Sequence, residues 1–136
     1  MTKKILIGTL VNLLIGSIMA SLLFMGLLGS MSEAWMKENT ACVKEPNMVG
    51  YLIGSLSLSF LLAILLDKYK VQSFRQGFIT AAWITAIIIF WFGIWCVYTF
   101  NAYTWSWMPY DIVGNTIVAA VAGGVVGMVY RKLDQK

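Results

Sequence analysis

The chain has 136 residues, of which 60% are hydrophobic and only 12% charged; a soluble domain carries about 25% charged residues. A formal net charge of +4 arises from 10 basic and 6 acidic residues, and there is no histidine. Serine–histidine and cysteine–histidine catalysis are thereby excluded, as are metal and haem sites built on histidine.

The charges are placed unevenly. None falls between Lys4 and Glu33, between Glu45 and Asp67, between Arg75 and Asp111, or between Asp111 and Arg131. Each gap holds the roughly 20 apolar residues that a membrane-spanning helix needs. The predicted fold class is all-α: a single domain, residues 1–136, forming an integral membrane bundle of four transmembrane helices. The spans are expected near residues 5–29, 47–66, 74–101 and 109–130, with a short amphipathic segment near 32–38. In that arrangement Lys3, Lys4, Lys68, Lys70, Arg75, Arg131, Lys132 and Lys136 fall on one side and only Lys37 and Lys44 on the other. This positive-inside pattern puts both termini in the cytoplasm and the protein in the cell membrane as a multi-pass chain. The basic residues set topology and meet anionic lipid. They do not interleave with exposed aromatics, so nucleic acid is not an expected partner.

The uncharged run after Lys4 resembles a signal peptide but exceeds the roughly 7–15 residues of its apolar region, so a retained helix is expected. Gly8, Asn12, Gly16 and Ala20 recur every fourth residue of this first span. Such a stripe lets another backbone approach closely. Asn12, its polar member, should face the bundle, because lipid would leave its amide unsatisfied. It reads either as an interhelical hydrogen bond that fixes register or as a polar contact lining a path. The following loop holds Glu33, Glu38 and Glu45, read as a solvated face, with Trp35 as an interfacial anchor. Cys42 in this loop and Cys96 in the third span read as free thiols, with a disulfide the alternative.

The second span starts after Pro46. Gly50 and Gly54 form a GxxxG packing step, and Ser55, Ser57 and Ser59 follow, able to bond back to their own helix. The short basic segment 67–75 predicts that the second and third spans pack as a hairpin, with Ser73 capping the third. On that third span Trp83, Phe90, Trp91, Ile94 and Tyr98 lie on one side, expected to meet lipid or a partner subunit. Ala81, Thr85, Phe92, Cys96 and Thr99 lie on another, expected to meet the bundle. Trp91, Trp95, Tyr98, Tyr103, Trp105, Trp107 and Tyr110 form an aromatic belt, with Tyr69 and Tyr130 as its sparse counterpart at the other interface. An aromatic cage for a cation is the sharper alternative.

The fourth span enters through Trp105-Ser106-Trp107-Met108-Pro109-Tyr110-Asp111. Asp111 reads as a helix-terminal carboxylate that complements the dipole, or as an ion site. Asn115 lies one turn deeper on the same face, followed by Ala119, Gly123 and Gly127 at four-residue spacing. The first and fourth spans thus both carry a small-residue stripe with one asparagine, in inverse topology, as the inverted pairs of small transporters do.

Leu65-Leu66-Asp67-Lys68-Tyr69-Lys70-Val71-Gln72-Ser73 leads into a helix with Gly77 and Trp83, then Asn101, Pro109-Tyr110-Asp111 and Gly124-Val125-Val126-Gly127. Together with Asn12, Gly16 and Trp35-Met36, this resembles a bacterial membrane family catalogued as domain of unknown function one-seven-six-one. Where that family commonly shows Trp-Tyr-Ser-Pro, this chain has Ser21-Leu22-Leu23-Phe24. The resemblance implies a four-helix fold in a bacterial inner membrane and brings no activity or catalytic residues.

Two functions follow from the residues. One is a structural or interaction subunit that self-associates or packs on a larger membrane complex, through Gly8, Gly16, Gly50, Gly54, Gly123 and Gly127. The other is a small dimeric ion- or proton-coupled transporter or channel, with Asn12, Asp111 and Asn115 as its polar path. The first is preferred. An intramembrane enzyme is not expected, since Asp111 has no second acid to pair with and no phosphate loop, CxxC or HExxH occurs. No cofactor and no metal are expected.

Overall fold

The structure, a computed structural model, describes residues 2–41 and 47–135. Cys42, and with it the question of its pairing with Cys96, lies outside the described residues, as do Lys44, Glu45 and Pro46. Among the described residues the order is α1 (Thr2–Ala20), a π-helical continuation (Ser21–Leu27), α2 (Gly29–Glu38), α3 (Met48–Lys68), α4 (Phe74–Thr99) and α5 (Met108–Asp134). The four long elements, with α1 and its continuation taken as one, are long and apolar enough to cross a membrane. The chain is a small multi-pass membrane protein with an all-α fold. Large apolar side chains stand exposed along all four spans, among them Leu10, Ile53, Trp91 and Val113, as a lipid-facing surface requires.

Local chemistry sets the helix ends. Asn47 caps α3 by accepting from the N–H groups of Val49 at 2.9 Å and Gly50 at 3.2 Å. Ser73 caps α4 by accepting from the N–H of Gln76 at 3.2 Å, as its position predicts. α3 ends in a Schellman motif: the N–H of Lys70 donates to the carbonyl of Asp67 and that of Val71 to Leu66. Lys70 takes a left-handed φ of 50° there. Val71 and Leu66, the apolar pair of that motif, are both buried in one core cluster with Ala81, Val126 and Tyr130.

The expected hairpin of α3 on α4 does not form. α4 packs along α5, α1 packs on both α5 and α3, and α3 scarcely touches α4. The reason is backbone approach. A Cβ on Gly77 of α4 would collide with the carbonyl of Gly123, and one on Gly123 would lie 2.8 Å from the carbonyl oxygen of Gly77. A Cβ on Gly124 would lie 2.6 Å from the Phe74 ring. α5 therefore meets α4 backbone to backbone. At the end of the bundle that carries the first turn of α1 and the last turn of α5, Gly127 admits the turn after α3, whose Val71 Cγ1 would stand 2.9 Å from an added Cβ. The turn passes beneath α5 instead of drawing α3 onto α4.

Tyr130 and Lys4 close this end. Tyr130 is 0% exposed and belongs to the core, which corrects its expected place in an interfacial belt. Its hydroxyl donates to the Ala63 carbonyl at 3.0 Å. The Lys4 ammonium lies 4.7 Å from the centre of that ring and bridges Asp67 at 3.0 Å and Asp134 at 2.7 Å, tying α1, α3 and α5 together. The first turn of α1 and the last turn of α5 thus sit at the same end of the bundle.

At the opposite end Trp91, Trp95, Tyr98, Trp105 and Tyr110 are exposed, as a belt should be. Trp107, another residue of the expected belt, acts differently. Trp107 stacks on Trp35 of α2 with ring centres 5.7 Å apart, while Trp35 Nε1 donates to the Ala102 carbonyl at 2.8 Å. These contacts dock α2, a longer element than the expected 32–38 segment, onto the α4–α5 connection. On α4 Trp83, Phe90, Trp91 and Tyr98 are exposed as expected and Ile94 is half-buried; Ala81, Thr85 and Cys96 are buried, but Phe92 and Thr99 are exposed. Gly93 is buried in place of Phe92, against the Met108 side chain, because the loop folds back over that turn of the helix.

Candidate functional site

Because α3 stands off from α4, a cavity of about 150 Å³ opens among the four spans. Its polar lining comes from Asn12 and Ser17 of α1, Tyr51, Ser55 and Ser59 of α3, Thr85 of α4 and Asn115 of α5. Apolar walls are supplied by Leu13, Leu58, Leu62, Val118, Ala119 and Ala122. Lysine, arginine, aspartate and glutamate are absent from that lining.

Asn12 is 5% exposed and faces the bundle, as expected. It does not make the register-fixing bond foreseen for it through its carbonyl oxygen: Oδ1 is buried with no hydrogen-bond partner among the described residues. Thr85, 1% exposed, carries a second such oxygen, Oγ1. A helical threonine commonly returns its hydroxyl to a carbonyl of the preceding turn, as Thr9 does to Ile5 at 2.9 Å. Thr85 does not. Ser57 bonds back to Ile53 at 2.8 Å, while Ser55 and Ser59 turn to the cavity. An unsatisfied buried polar atom costs about 1–3 kcal/mol. Asn12 and Thr85 both line the cavity, and each oxygen would be completed by a hydrogen-bonding guest, water or otherwise, that reached it.

Asn115 meets the same cavity and connects it to Asp111. Its Nδ2 donates to the Asp111 carbonyl at 2.9 Å and to Asp111 Oδ1 at 2.8 Å. The other carboxylate oxygen, Oδ2, accepts from the Tyr103 hydroxyl at 2.5 Å. Burial and the Asp111 carboxylate push the Tyr103 phenol well above its ordinary pKa, so it remains a donor throughout the physiological range. Asp111 stands in the first turn of α5, as expected, but is not its N-cap. Trp107 holds the cap position of α5, and no side chain caps there. The carboxylate is turned inward, in the first turn of α5, and complements that helix's dipole from there. It forms no ion pair among the described residues, where both salt bridges belong to Lys4.

The six packing glycines divide into three kinds. Gly8, Gly123 and Gly127 sit at close crossings: an added Cβ would collide with Tyr130, Ala81 and Ser73 respectively. Gly16 borders the cavity, and the nearest atom to an added Cβ is Val118 Cγ1 at 4.0 Å. Gly50 and Gly54 pack on no other helix of the chain; both are exposed, and Gly54 faces open space. Their packing step is left uncovered by the same splaying of α3 that opens the cavity.

The π-helical stretch was not foreseen. It is closed by the N–H of Leu28 donating to the Leu23 carbonyl at 2.8 Å. Leu23 and Phe24 from this stretch cover Gly114, where an added Cβ would lie 2.9 Å and 2.7 Å from their side chains. That cover lies over the turn of α5 that presents Asp111 and Asn115. Among the described residues no three of histidine, cysteine, aspartate and glutamate group as a metal site. No family model, curated protein or solved structure matches the chain.

Proposed function

We propose that this protein handles a small polar solute or ion within the membrane, as a transporter or channel whose binding place is the four-helix cavity. The observation that carries this reading is the pair of unpartnered buried oxygens, Asn12 Oδ1 and Thr85 Oγ1, on two residues that line one cavity. Packing alone has no use for them, since alanine at either position would leave no orphaned polar atom. Polar groups at membrane depth that face a cavity are the usual mark of a solute path. No catalytic role and no cofactor enter this proposal.

The test is flux into liposomes that contain the purified protein, across several small cations and polar solutes and with imposed pH gradients. Flux above that of empty liposomes, reduced by Asn12→Leu in protein that still reconstitutes, is the expected result. No flux for any of them would remove transport.

A second reading keeps the chain as a structural or interaction subunit. It is favoured by the uncovered Gly50–Gly54 face of α3, where another helix of a second copy or of a larger complex has room to approach. Cross-linking in native membranes separates the two: Gly54→Leu should abolish an oligomer built on this face and leave solute flux through one chain intact. The bacterial inner membrane, the family resemblance and cytoplasmic termini belong to the same proposal. The eight-to-two split of basic residues supports the last of these.

A further inference from the structure

We infer that the guest this cavity fits is a small primary ammonium, a protonated amine with a short hydrocarbon tail. This rests on the cavity being a binding place, as proposed above. The lining can offer several acceptor oxygens to one guest. Asn12 Oδ1 can only accept. Asn115 spends both hydrogens of Nδ2 on Asp111, which leaves its carbonyl oxygen as the polar group still free to act. The hydroxyls of Thr85, Ser55 and Ser59, which accept as well as donate, can turn acceptor oxygens to the same guest. An ammonium brings three N–H donors and no acceptor.

Charge points the same way. The cavity lining holds no cation to repel such a guest. One residue behind it stands the Asp111 carboxylate, held by two hydrogen bonds and by no ion pair among the described residues. The field of this half-buried carboxylate, which no cation among the described residues pairs with, favours a cation beside it. Size and walls choose among cations. A volume of about 150 Å³ is that of a cavity able to take a benzene-sized guest, and Leu13, Leu58, Leu62 and Val118 give it apolar sides. A hydrated metal ion would leave those sides unused, and a hard divalent ion wants carboxylate ligands that the lining lacks. A short alkyl tail with a donor head uses both kinds of surface.

The experiment is thermal unfolding of the full-length protein in detergent, followed by tryptophan fluorescence, with four probes at matched ionic strength. Propylammonium chloride is the test ligand, 1-propanol its neutral counterpart, choline chloride a cation without N–H donors, and sodium chloride the salt control. The expected result is a saturable rise in Tm with propylammonium alone. Thr85→Val, which keeps the shape of the side chain, and Asn12→Ala should each remove that rise. Asp111→Asn should weaken the apparent affinity by about tenfold or more, the effect of one charge withdrawn at short range. A rise of equal size with 1-propanol, lost in Thr85→Val, would leave the cavity as a binding place and overturn the ammonium assignment. A rise with propylammonium that survives both Thr85→Val and Asn12→Ala would place the binding elsewhere and overturn it too. No rise with any probe, together with unchanged or higher stability of Thr85→Val, would overturn both the assignment and the cavity's role as a binding place.

Discussion

Tyr130 fills the space that Gly8 leaves open. A Cβ on Gly8 would collide with the Tyr130 hydroxyl and lie 2.7 Å from ring carbon Cε1. That ring is fully buried and hydrogen-bonded to Ala63, so it has nowhere to retreat. Three helices meet at this one ring: α1 by its glycine, α3 by its carbonyl and α5 by the tyrosine itself.

Gly8→Ala is therefore expected to destabilise the bundle by about 1–3 kcal/mol, the usual cost of overpacking. Tyr130→Phe should cost about 1 kcal/mol for the lost hydrogen bond. The double substitution should cost less than the sum, because removing the hydroxyl removes the closest clash. Thermal unfolding of the four proteins in one detergent measures this coupling, and strict additivity would contradict the contact.

The α4–α5 crossing gives a sharper contrast between glycines. Gly77→Ala and Gly123→Ala each drive a methyl into the backbone of the facing helix, which cannot rotate away as a side chain can. Each should cost about 1–3 kcal/mol. Gly54→Ala meets nothing within the chain, so the helix propensity of alanine should raise stability by up to about 1 kcal/mol. Equal effects at Gly54 and Gly123 in monodisperse protein would refute the assignment of α5, rather than α3, as the close neighbour of α4.

Much of this was legible in the sequence, because it rests on periodicity and on gaps between charges. Four spans follow from uncharged runs, the cap at Ser73 from its place before an apolar helix, and the inward stripe of Asn115, Ala119, Gly123 and Gly127 from its four-residue spacing. What was not legible depends on which helix sits beside which. A short connection suggested that α3 and α4 pair, yet Gly77, Gly123 and Gly124 give α4 a closer partner in α5. That choice separates Thr85 from any hydroxyl partner and brings it to the cavity wall of Asn12. Lys4 was readable as a topology determinant but not as the bridge between Asp67 and Asp134, which lie far from it in sequence. Tyr103 read as one belt aromatic among several, because only the fold of the 100–107 connection returns it to Asp111.

Membrane orientation is open to direct measurement. With Cys42 replaced by serine, a cysteine at Glu38 should react with an impermeant maleimide added to intact cells, and a cysteine at Lys70 should react only after lysis. The expectation comes from the basic residues at the end that holds the first turn of α1 and the last turn of α5. Labelling in the reverse sense would invert the topology, while leaving the bundle itself as described.

The last prediction concerns Tyr103 and Asp111. The carboxylate accepts from the Tyr103 hydroxyl through Oδ2 and from Asn115 through Oδ1. Asp111→Asn keeps one accepting oxygen and replaces the other with a donor, which then faces the hydrogens of Asn115 or the tyrosine. Either the Asn115 amide must turn or the tyrosine hydroxyl must become the acceptor. A hydrogen bond to a charged group contributes roughly 1.5–3 kcal/mol, so Asp111→Asn and Tyr103→Phe should each destabilise by an amount within that range. Because they remove the same bond, the double substitution should cost little more than the larger single one. If Asp111 were a simple helix cap, asparagine would replace it with almost no loss, and Tyr103→Phe would be independent of it. Unfolding of the wild type, both single variants and the double variant in the same detergent decides between these, and additive effects, or a neutral Asp111→Asn, would show that the carboxylate is not held by Tyr103.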